Sequence, residues 1–237
     1  LAGDYAACAQ AAGQAEAARQ ALALSALASG FVSSTATVAT LGLAVREGRG
    51  EARAMAGAAL LSCVATLLQL LLVAATVQPA WWPVLWWPCV VGSAVALGWG
   101  GWLVRGATGV AGTAAGPAQG DGRMFNLRSA ALIAALLTGI QAAVYGMGLW
   151  LGPRGMLAGT WLAALAELHS AVAAVMAATL PGDARHAELT IAGALVVHAL
   201  SKCVNAGFSG GTRYVLALAP GMLVHTGAVV GLLLWAR

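Results

Sequence analysis

Five ionisable residues lie inside long apolar stretches of this sequence: Glu167, His169, His198, Lys202 and His225. A carboxylate in such a place can bind a cation or exchange a proton, a lysine can act as its counter-charge, and imidazoles can relay protons or serve as ligands. A charged side chain at the centre of a membrane helix costs about 2.5 to 3.5 kcal/mol, so each needs a reason to be retained. We therefore predict a polar path in which Glu167 and Lys202 are coupled charges.

Three uncharged residues complete the predicted lining of this path: Ser33, Thr35 and Gln69. Ser33 and Thr35 belong to the hydroxyl-rich sequence GFVSSTAT at residues 30–37, which lies in the middle of an apolar stretch. Gln69 is an amide in the middle of the next apolar stretch. Their oxygen atoms are uncharged ligands that could face Glu167.

A packing role is the alternative interpretation of the same residues. Glu167 and Lys202 would then form a buried ion pair that joins two helices, with the imidazoles bonded to nearby carbonyls. Serine and threonine hydroxyls in membrane helices commonly bond to their own backbone. Glu167 and His169 also point about 200° apart on a regular helix, so they can share a site only if the helix is broken there.

No motif in the sequence indicates an enzyme, and we expect no catalytic residue and no cofactor. The letters GFSGG at residues 207–211 match the GxSxG pattern, but they close an apolar stretch instead of joining a strand to a helix. The four cysteines are scattered without ligand spacing. A metal site formed by Glu167, His169 and His198 is left open. His225, alone in an apolar stretch, is interpreted as structural.

The composition indicates an integral membrane protein. Of 237 residues, 60% are hydrophobic and 8% are charged, against roughly 25% charged in soluble domains. The uncharged runs at residues 54–104 and 129–151 exceed the ~20 residues that a helix needs to cross a bilayer. Soluble enzymes, disulfide scaffolds and nucleic-acid-binding proteins are thereby excluded, and the predicted partner is the lipid bilayer.

The predicted fold class is all-α: a polytopic helical membrane protein with about seven transmembrane helices. The predicted spans are residues 20–45, 54–77, 84–104, 127–151, 156–180, 189–208 and 214–235. Residues 1–19 form a polar N-terminal segment, interpreted as the remnant of a longer chain. Residues 106–126 form a Gly/Ala-rich cytoplasmic linker between a first membrane repeat of three spans, residues 20–105, and a second of four spans, residues 127–237.

An internal repeat relates the two halves. Superposing Ser33 on Glu167 places Thr35 on His169, and with a slip of one residue it places Gln69 on Lys202. Because the first and fifth spans are an even number of helices apart, the repeats are predicted to be parallel, about an axis along the membrane normal.

The distribution of lysine and arginine predicts the orientation in a bacterial inner membrane. Eight of these residues fall on one side of the seven predicted spans and three on the other, where Arg19, Arg154 and Arg213 lie. By the positive-inside rule the C-terminus is then cytoplasmic.

The sequence also resembles a known bacterial family. GFVSSTAT at residues 30–37, ELHSA at 167–171, SK at 201–202 and GGTRY at 210–214 are similar to the membrane domain of unknown function that follows the MgtC/SapB region in larger proteins. The resemblance implies a preceding MgtC-like region and an association with magnesium homeostasis or transport, and it lends no reaction. Here Glu167 replaces the usual Asp, His198 an expected Asn, and Gln69 an expected basic residue.

Together these features predict a transporter or permease-like component for a small ion or polar solute. The alternative is a non-catalytic accessory or structural subunit of a larger membrane complex, which packs through its Ala/Gly-rich faces. A homo-oligomer is compatible with either.

Overall fold

The computed structural model describes residues 2–107, 127–181 and 185–235, and their side chains at 13–107, 138–181 and 186–235. All regular structure in these ranges is helical, which confirms the predicted all-α class. The elements are α1 Ala2–Arg46, α2 Ala52–Val77, a short 3₁₀ turn Pro79–Trp81, α3 Trp82–Arg105, α4 Leu127–Ala164, α5 Leu168–Ala178, α6 Arg185–Gly210 and α7 Thr212–Trp235.

Five helices are long and apolar enough to cross a bilayer by length and composition, which indicates a membrane protein. They are Gly13–Arg46, Ala52–Val77, Pro79–Arg105, His186–Gly210 and Thr212–Trp235, and Leu168–Ala178 is a shorter apolar helix. The predicted bounds of the second, third, sixth and seventh spans agree with α2, α3, α6 and α7 to within four residues at each end. The fourth predicted span, residues 127–151, agrees with the part of α4 before Gly152. The first and fifth predicted spans, in α1 and in α4 with α5, follow a different path.

The described chain forms two compact units. The first contains residues 2–66, 94–107 and 202–222, and the second contains residues 67–93, 127–181, 185–201 and 223–235. Helices α2, α3, α6 and α7 contribute residues to both units, so each unit draws on both predicted halves of the sequence. The predicted linker lies almost entirely outside the described residues, and the predicted N-terminal segment is the start of α1.

In the first unit, helix α1 is interrupted at Ser33 and folds back on itself. Ser33 has an extended backbone (φ −166°, ψ 109°) between helical residues. The hydroxyl oxygens of Ser29 and Thr37 are 3.0 Å apart, whereas eight residues of straight helix would separate them by about 12 Å. Residues 2–32 and 34–46 are therefore the two arms of a hairpin, called here the α1 hairpin. The predicted straight crossing over residues 20–45 is replaced by this hairpin.

Arg19 and Arg53 consequently lie at the same end of the first unit. The Arg19 guanidinium donates a hydrogen bond to the Ala107 carbonyl at 3.0 Å, and a Cβ added to Gly106 would lie 2.7 Å from the Arg53 Nη2. The sequence analysis assigned these two arginines to opposite faces of the membrane, whereas here they lie at the same end of one unit. Because the chain turns back at Ser33, the second arm of the hairpin ends near the place where the first arm began.

Helices α2 and α6 run antiparallel within the first unit. The second arm of the α1 hairpin begins with Ser34 beside Thr66 and ends at the short connection to the start of α2, so this arm is antiparallel to α2. Helix α6 runs parallel to the same arm, because Lys202 contacts Thr66 and Gly210 packs on Gly42. A Cβ added to Gly42 would lie 2.9 Å from the Gly210 backbone nitrogen, so the two helices approach closely there.

In the second unit, α4 folds at Gly152, as the sequence predicted for the turn after its fourth span. Gly152 has φ 65°, in the left-handed region that favours glycine. A Cβ added to Gly159 would lie 3.5 Å from the Val144 Cα, although a straight helix would separate these residues by about 22 Å. The two parts of α4 therefore pack side by side.

A second hairpin follows in the same unit. Helix α4 ends at Ala164, and α5 begins after Glu167, whose backbone is extended (φ −149°, ψ 116°). Gly152, Pro153 and Thr179 line one cavity of about 230 Å³, so the beginning of residues 153–164 lies beside the end of α5. These two segments are called here the α4–α5 hairpin. The unbroken helix predicted over residues 156–180 is wrong, because a helix start at Glu167 interrupts it.

Candidate functional site

The tip of the α1 hairpin is a helix N-terminus inside an apolar helix. The Ser33 hydroxyl accepts a hydrogen bond from the Ala36 N–H at 3.2 Å, and the Ser33 carbonyl accepts one from the Thr37 hydroxyl at 2.9 Å. Serine is a preferred N-cap because its side chain satisfies one of the N–H groups that lack a helical partner. Ser33, predicted as a lining residue, therefore caps the second arm.

The two arms of this hairpin border a cavity of about 450 Å³. Hydroxyl-bearing side chains lie along its wall among apolar ones: Ser25, Ser29, Ser33, Thr37 and Thr40. A hydroxyl both donates and accepts hydrogen bonds, so this wall can replace part of the hydration of an ion or a polar solute. Non-helical backbone at membrane depth is tolerated only where it is buried in protein or lines a water-filled cavity.

Lys202 lies in the first unit, with 2% of its surface exposed. Its ammonium donates to the Thr66 hydroxyl at 3.4 Å and approaches the Cys63 thiol at 3.7 Å. Thr66 in turn donates to the Ser34 hydroxyl at 2.8 Å. A chain of hydrogen bonds thus runs from α6 through α2 to the first residue of the second arm of the α1 hairpin.

The sequence GGTRY at residues 210–214 holds that second arm in place. Gly210 packs directly on Gly42, and Gly211 has φ 78°, which favours glycine. The Tyr214 hydroxyl donates to the Val38 carbonyl at 3.0 Å. Ser209, the serine of the GxSxG letters, donates to the Asn205 carbonyl at 2.8 Å inside α6, so these letters form a helix end.

Glu167 is the N-cap of α5 in the second unit. Its carboxylate accepts hydrogen bonds from the N–H groups of His169, at 3.0 Å, and Ser170. The same carboxylate lies 2.9 Å from the Nδ1 of the His169 ring. Negative charge at a helix N-terminus is stabilised by the helix dipole. Of these two side chains, 26% of Glu167 and 20% of His169 is exposed, so neighbouring residues do not fully enclose the pair.

Two side chains of α6 bind the carbonyl groups that this interruption releases. The last carbonyls of a helix have no partner within it. Here the His198 Nδ1 lies 2.9 Å from the Ala164 carbonyl oxygen, and the Ser201 hydroxyl donates to the Leu165 carbonyl at 3.0 Å. His198 therefore binds the last residue of α4, and its relay role stays a prediction.

Both interruptions lie within a recognised family segment, since a sequence family matches residues 9–210. The chain belongs to the DUF4010 family, described as a domain of unknown function. No curated protein and no solved structure matches it. The DUF4010 segment covers both hairpins, α2, α3 and α6. The MgtC/SapB association that the resemblance implied stays a prediction.

The structure brings some of the predicted site residues of this DUF4010 protein together. Glu167 and His169 are in contact, and His198 binds the helix end that precedes them. Thr35 is half-buried two residues after Ser33. Gln69 is half-buried on α2 in the second unit. The coupling of Glu167 with Lys202 stays a prediction, because the contacts described for each lie within its own unit.

Two residues of the site were missed by the sequence prediction: Thr66 and Ser201. A signal was present for Thr66, because Ser62, Thr66 and Gln69 have the spacing of one helical face. Among the described residues, no group of three or more His, Cys, Asp and Glu side chains is arranged to hold a metal ion. The His225 Nδ1 lies 2.9 Å from the Gly92 carbonyl oxygen, as expected of a structural histidine.

Proposed function

We propose that this DUF4010 protein is a transporter or permease-like component for a small ion or polar solute. The observation that carries the proposal is the pair of helix interruptions at Ser33 and Glu167, each inside an apolar segment. Discontinuous helices expose backbone donors and acceptors at mid-membrane, and secondary transporters use such helix ends to bind solutes and coupling ions. A protein that only fills space in a bilayer has no need of them, because uninterrupted helices satisfy their own backbone groups.

The side chains at both interruptions support a polar solute. In the first unit, the α1 hairpin borders the hydroxyl-lined cavity. In the second unit, Glu167 and His169 form a partly exposed carboxylate–imidazole pair. A carboxylate beside an imidazole can take up and release a proton or hold a cation. We propose no catalytic reaction and no cofactor for either place.

The two hairpins support an internal repeat of inverted topology. Each hairpin is followed by a long helix that passes its tip: Thr66 of α2 contacts Ser34, and Ser201 of α6 contacts the Leu165 carbonyl. Parallel repeats, as predicted from the sequence, require α1 to be one full crossing. With α1 folded back that crossing is lost, and the antiparallel course of α2 and α6 in the first unit favours repeats that run in opposite directions.

The same change alters the proposed orientation in the bacterial inner membrane. Arg19, Arg53 and Arg105 belong to one end of the first unit, where α7 also begins, since Gly210 packs on Gly42 near the end of the α1 hairpin. By the positive-inside rule we assign this end to the cytoplasm. Because α7 leads away from it over 24 residues, or about 36 Å, the C-terminus of α7 is proposed to face the other side, contrary to the sequence-based assignment.

A role as a subunit of a larger complex, or as a homo-oligomer, is favoured by one specific observation. At the tip of the α1 hairpin, Val32 is 89% exposed and Ser33 is exposed as well. Interrupted backbone does not face lipid, so this tip requires water or protein beside it. A second copy or another membrane protein could supply that cover without any transport.

Reconstitution into liposomes tests the transport proposal. Charge movement and solute uptake would be recorded on imposed gradients of Na⁺, K⁺, Mg²⁺, H⁺ and small organic anions. We expect flux for at least one of these, abolished in Glu167→Gln and retained in Glu167→Asp and in the exposed control Glu47→Gln. Absence of flux for every gradient, with the protein folded, would leave the accessory role.

A further inference from the structure

Lys202 carries a positive charge that the described residues do not neutralise. It is the one lysine among the 237 residues and is almost fully buried. A hydroxyl at 3.4 Å and a thiol at 3.7 Å are the partners of its three N–H groups, and among the described residues no carboxylate lies within ion-pair distance. A buried charge of this kind requires a counter-charge or water.

A helix terminus adds to the positive character of the same place. Thr66 accepts from Lys202 and donates to Ser34, the first residue of the second arm of the α1 hairpin. The first N–H groups of a helix lack helical partners and carry a partial positive charge. In this arm the Ser33 side chain supplies only a neutral hydroxyl, to the Ala36 N–H.

In the second unit, a carboxylate binds the first N–H groups of such a helix. There the carboxylate of Glu167 accepts from the N–H groups of His169 and Ser170. Ser33 has the same extended backbone at the corresponding place of the α1 hairpin but no charge. The second unit thus provides a carboxylate of its own, whereas the first unit provides Lys202 and hydroxyls.

We propose that the first unit binds the carboxylate group of a small organic anion at Lys202, Thr66 and Ser34. The ammonium supplies the counter-charge, the Ser34 hydroxyl donates a hydrogen bond, Thr66 positions the ammonium and that hydroxyl, and the first turn of the second arm supplies backbone N–H groups. The inference deepens the proposed function, on which it rests, by naming the class of solute: a monocarboxylate rather than a metal cation.

The test is ligand-dependent stability of the purified protein in detergent, with acetate as the probe. Sodium acetate replaces sodium chloride at constant sodium concentration, and methylammonium chloride serves as a cation of similar size. A ligand that binds the folded state raises the unfolding midpoint in a saturable manner. We expect this rise with acetate only.

Variants locate the effect. Lys202→Gln should raise the half-saturating acetate concentration about tenfold or more, because it removes a hydrogen bond between two charged groups. Thr66→Val should also raise it, because Thr66 positions the ammonium and the Ser34 hydroxyl. Ser34→Ala has a matched control in Ser209→Ala, since the two serines are 6% and 7% exposed in the same unit. Ser34→Ala should weaken the acetate effect several-fold, and Ser209→Ala should leave it within about twofold.

Three results would overturn the site: no rise with acetate, an equal rise with chloride or methylammonium, or an acetate effect that Lys202→Gln, Thr66→Val and Ser34→Ala all leave unchanged. If Lys202→Gln does not fold, the comparison of Ser34→Ala with Ser209→Ala still tests the site. Acetate binding without flux in liposomes contradicts transport and supports the anion site. Flux of a cation without acetate binding overturns the anion site alone.

Discussion

The Nδ1 of His169 lies 2.9 Å from the Oε1 of Glu167, two residues earlier in the chain. On a regular helix these side chains would point about 200° apart. They meet because Glu167 is extended and caps α5, so its carboxylate turns back over the first turn of the helix that carries His169. The contact therefore depends on the interruption, and the carboxylate caps the helix that begins there.

Substitutions at Glu167 should separate these contributions. Glu167→Ala removes the cap from two N–H groups and is expected to lower the free energy of unfolding by about 1 to 2 kcal/mol. Glu167→Asp, another favourable N-cap, should lower it by less than about 0.5 kcal/mol. Denaturant unfolding in detergent, followed by tryptophan fluorescence, measures both. The exposed pair of Glu47 with Arg49 provides the control, since Glu47→Ala should change stability by less than about 1 kcal/mol. Equal stability of Glu167→Ala and wild type would contradict the capping role.

Two cysteines can report whether α1 folds back at Ser33. In a background with the native cysteines replaced by alanine, Ser29→Cys with Thr37→Cys should form an intrachain disulfide on mild oxidation, because the native hydroxyls are 3.0 Å apart. Ala17→Cys with Ser25→Cys has the same spacing of eight residues within the first arm, about 12 Å along a helix, and should stay reduced. Loss of maleimide labelling, read by mass spectrometry, distinguishes the pairs. A straight α1 would leave both pairs labelled.

The class of fold could be predicted from the sequence, and so could the helices that are single uninterrupted apolar segments. The bounds of α2, α3, α6 and α7 followed from hydropathy, and the turn at Gly152 followed from its glycine and Pro153. Neither hairpin tip has such a signal. Two short apolar arms contain as many apolar residues as one full crossing, so hydropathy cannot distinguish them, and Ser33 and Glu167 break their helices through N-caps that read as ordinary polar residues.

The site was predictable in its residue types and not in its contacts. The cost of burying charge singled out Glu167 and Lys202. The partners of Lys202 are a threonine and a cysteine on an apolar helix, which no charge pattern reveals. Ser201 belongs to the segments that resemble the family, but the resemblance gave it no role. Its hydroxyl donates a hydrogen bond to the Leu165 carbonyl. Such contacts depend on which helices meet, and that follows from the two folded-back segments.

A close glycine contact should be essential to the position of the second arm of the α1 hairpin. A Cβ on Gly42 would lie 2.9 Å from the Gly210 backbone nitrogen, and backbone atoms cannot move aside as a flexible side chain can. Gly42→Ala is therefore expected to destabilise the protein by about 1 to 3 kcal/mol. Gly98 has nothing within 4 Å of an added Cβ, so Gly98→Ala should be neutral or stabilise by up to about 1 kcal/mol. The thermal unfolding midpoints of the two variants measure this difference. Equal midpoints would argue against the close contact at Gly42.

The hairpin also makes a prediction about sidedness that separates it from a straight α1. Glu47 directly follows the second arm of the α1 hairpin, and Arg213 lies at the start of α7. Both therefore belong to the end of the first unit at which that second arm ends. Seven straight crossings would instead place them on opposite faces. In a cysteine-free background, Glu47→Cys and Arg213→Cys should react with a membrane-impermeant maleimide in inside-out vesicles, and Ala80→Cys, beyond the far end of α2, should react in right-side-out vesicles. The wild-type side chains of Glu47 and Arg213 are both exposed. A difference between the faces from which the two cysteines are labelled therefore cannot be attributed to burial. Labelling of Glu47→Cys and Arg213→Cys from opposite faces would restore α1 as a full crossing, and with it the parallel repeat and the cytoplasmic C-terminus.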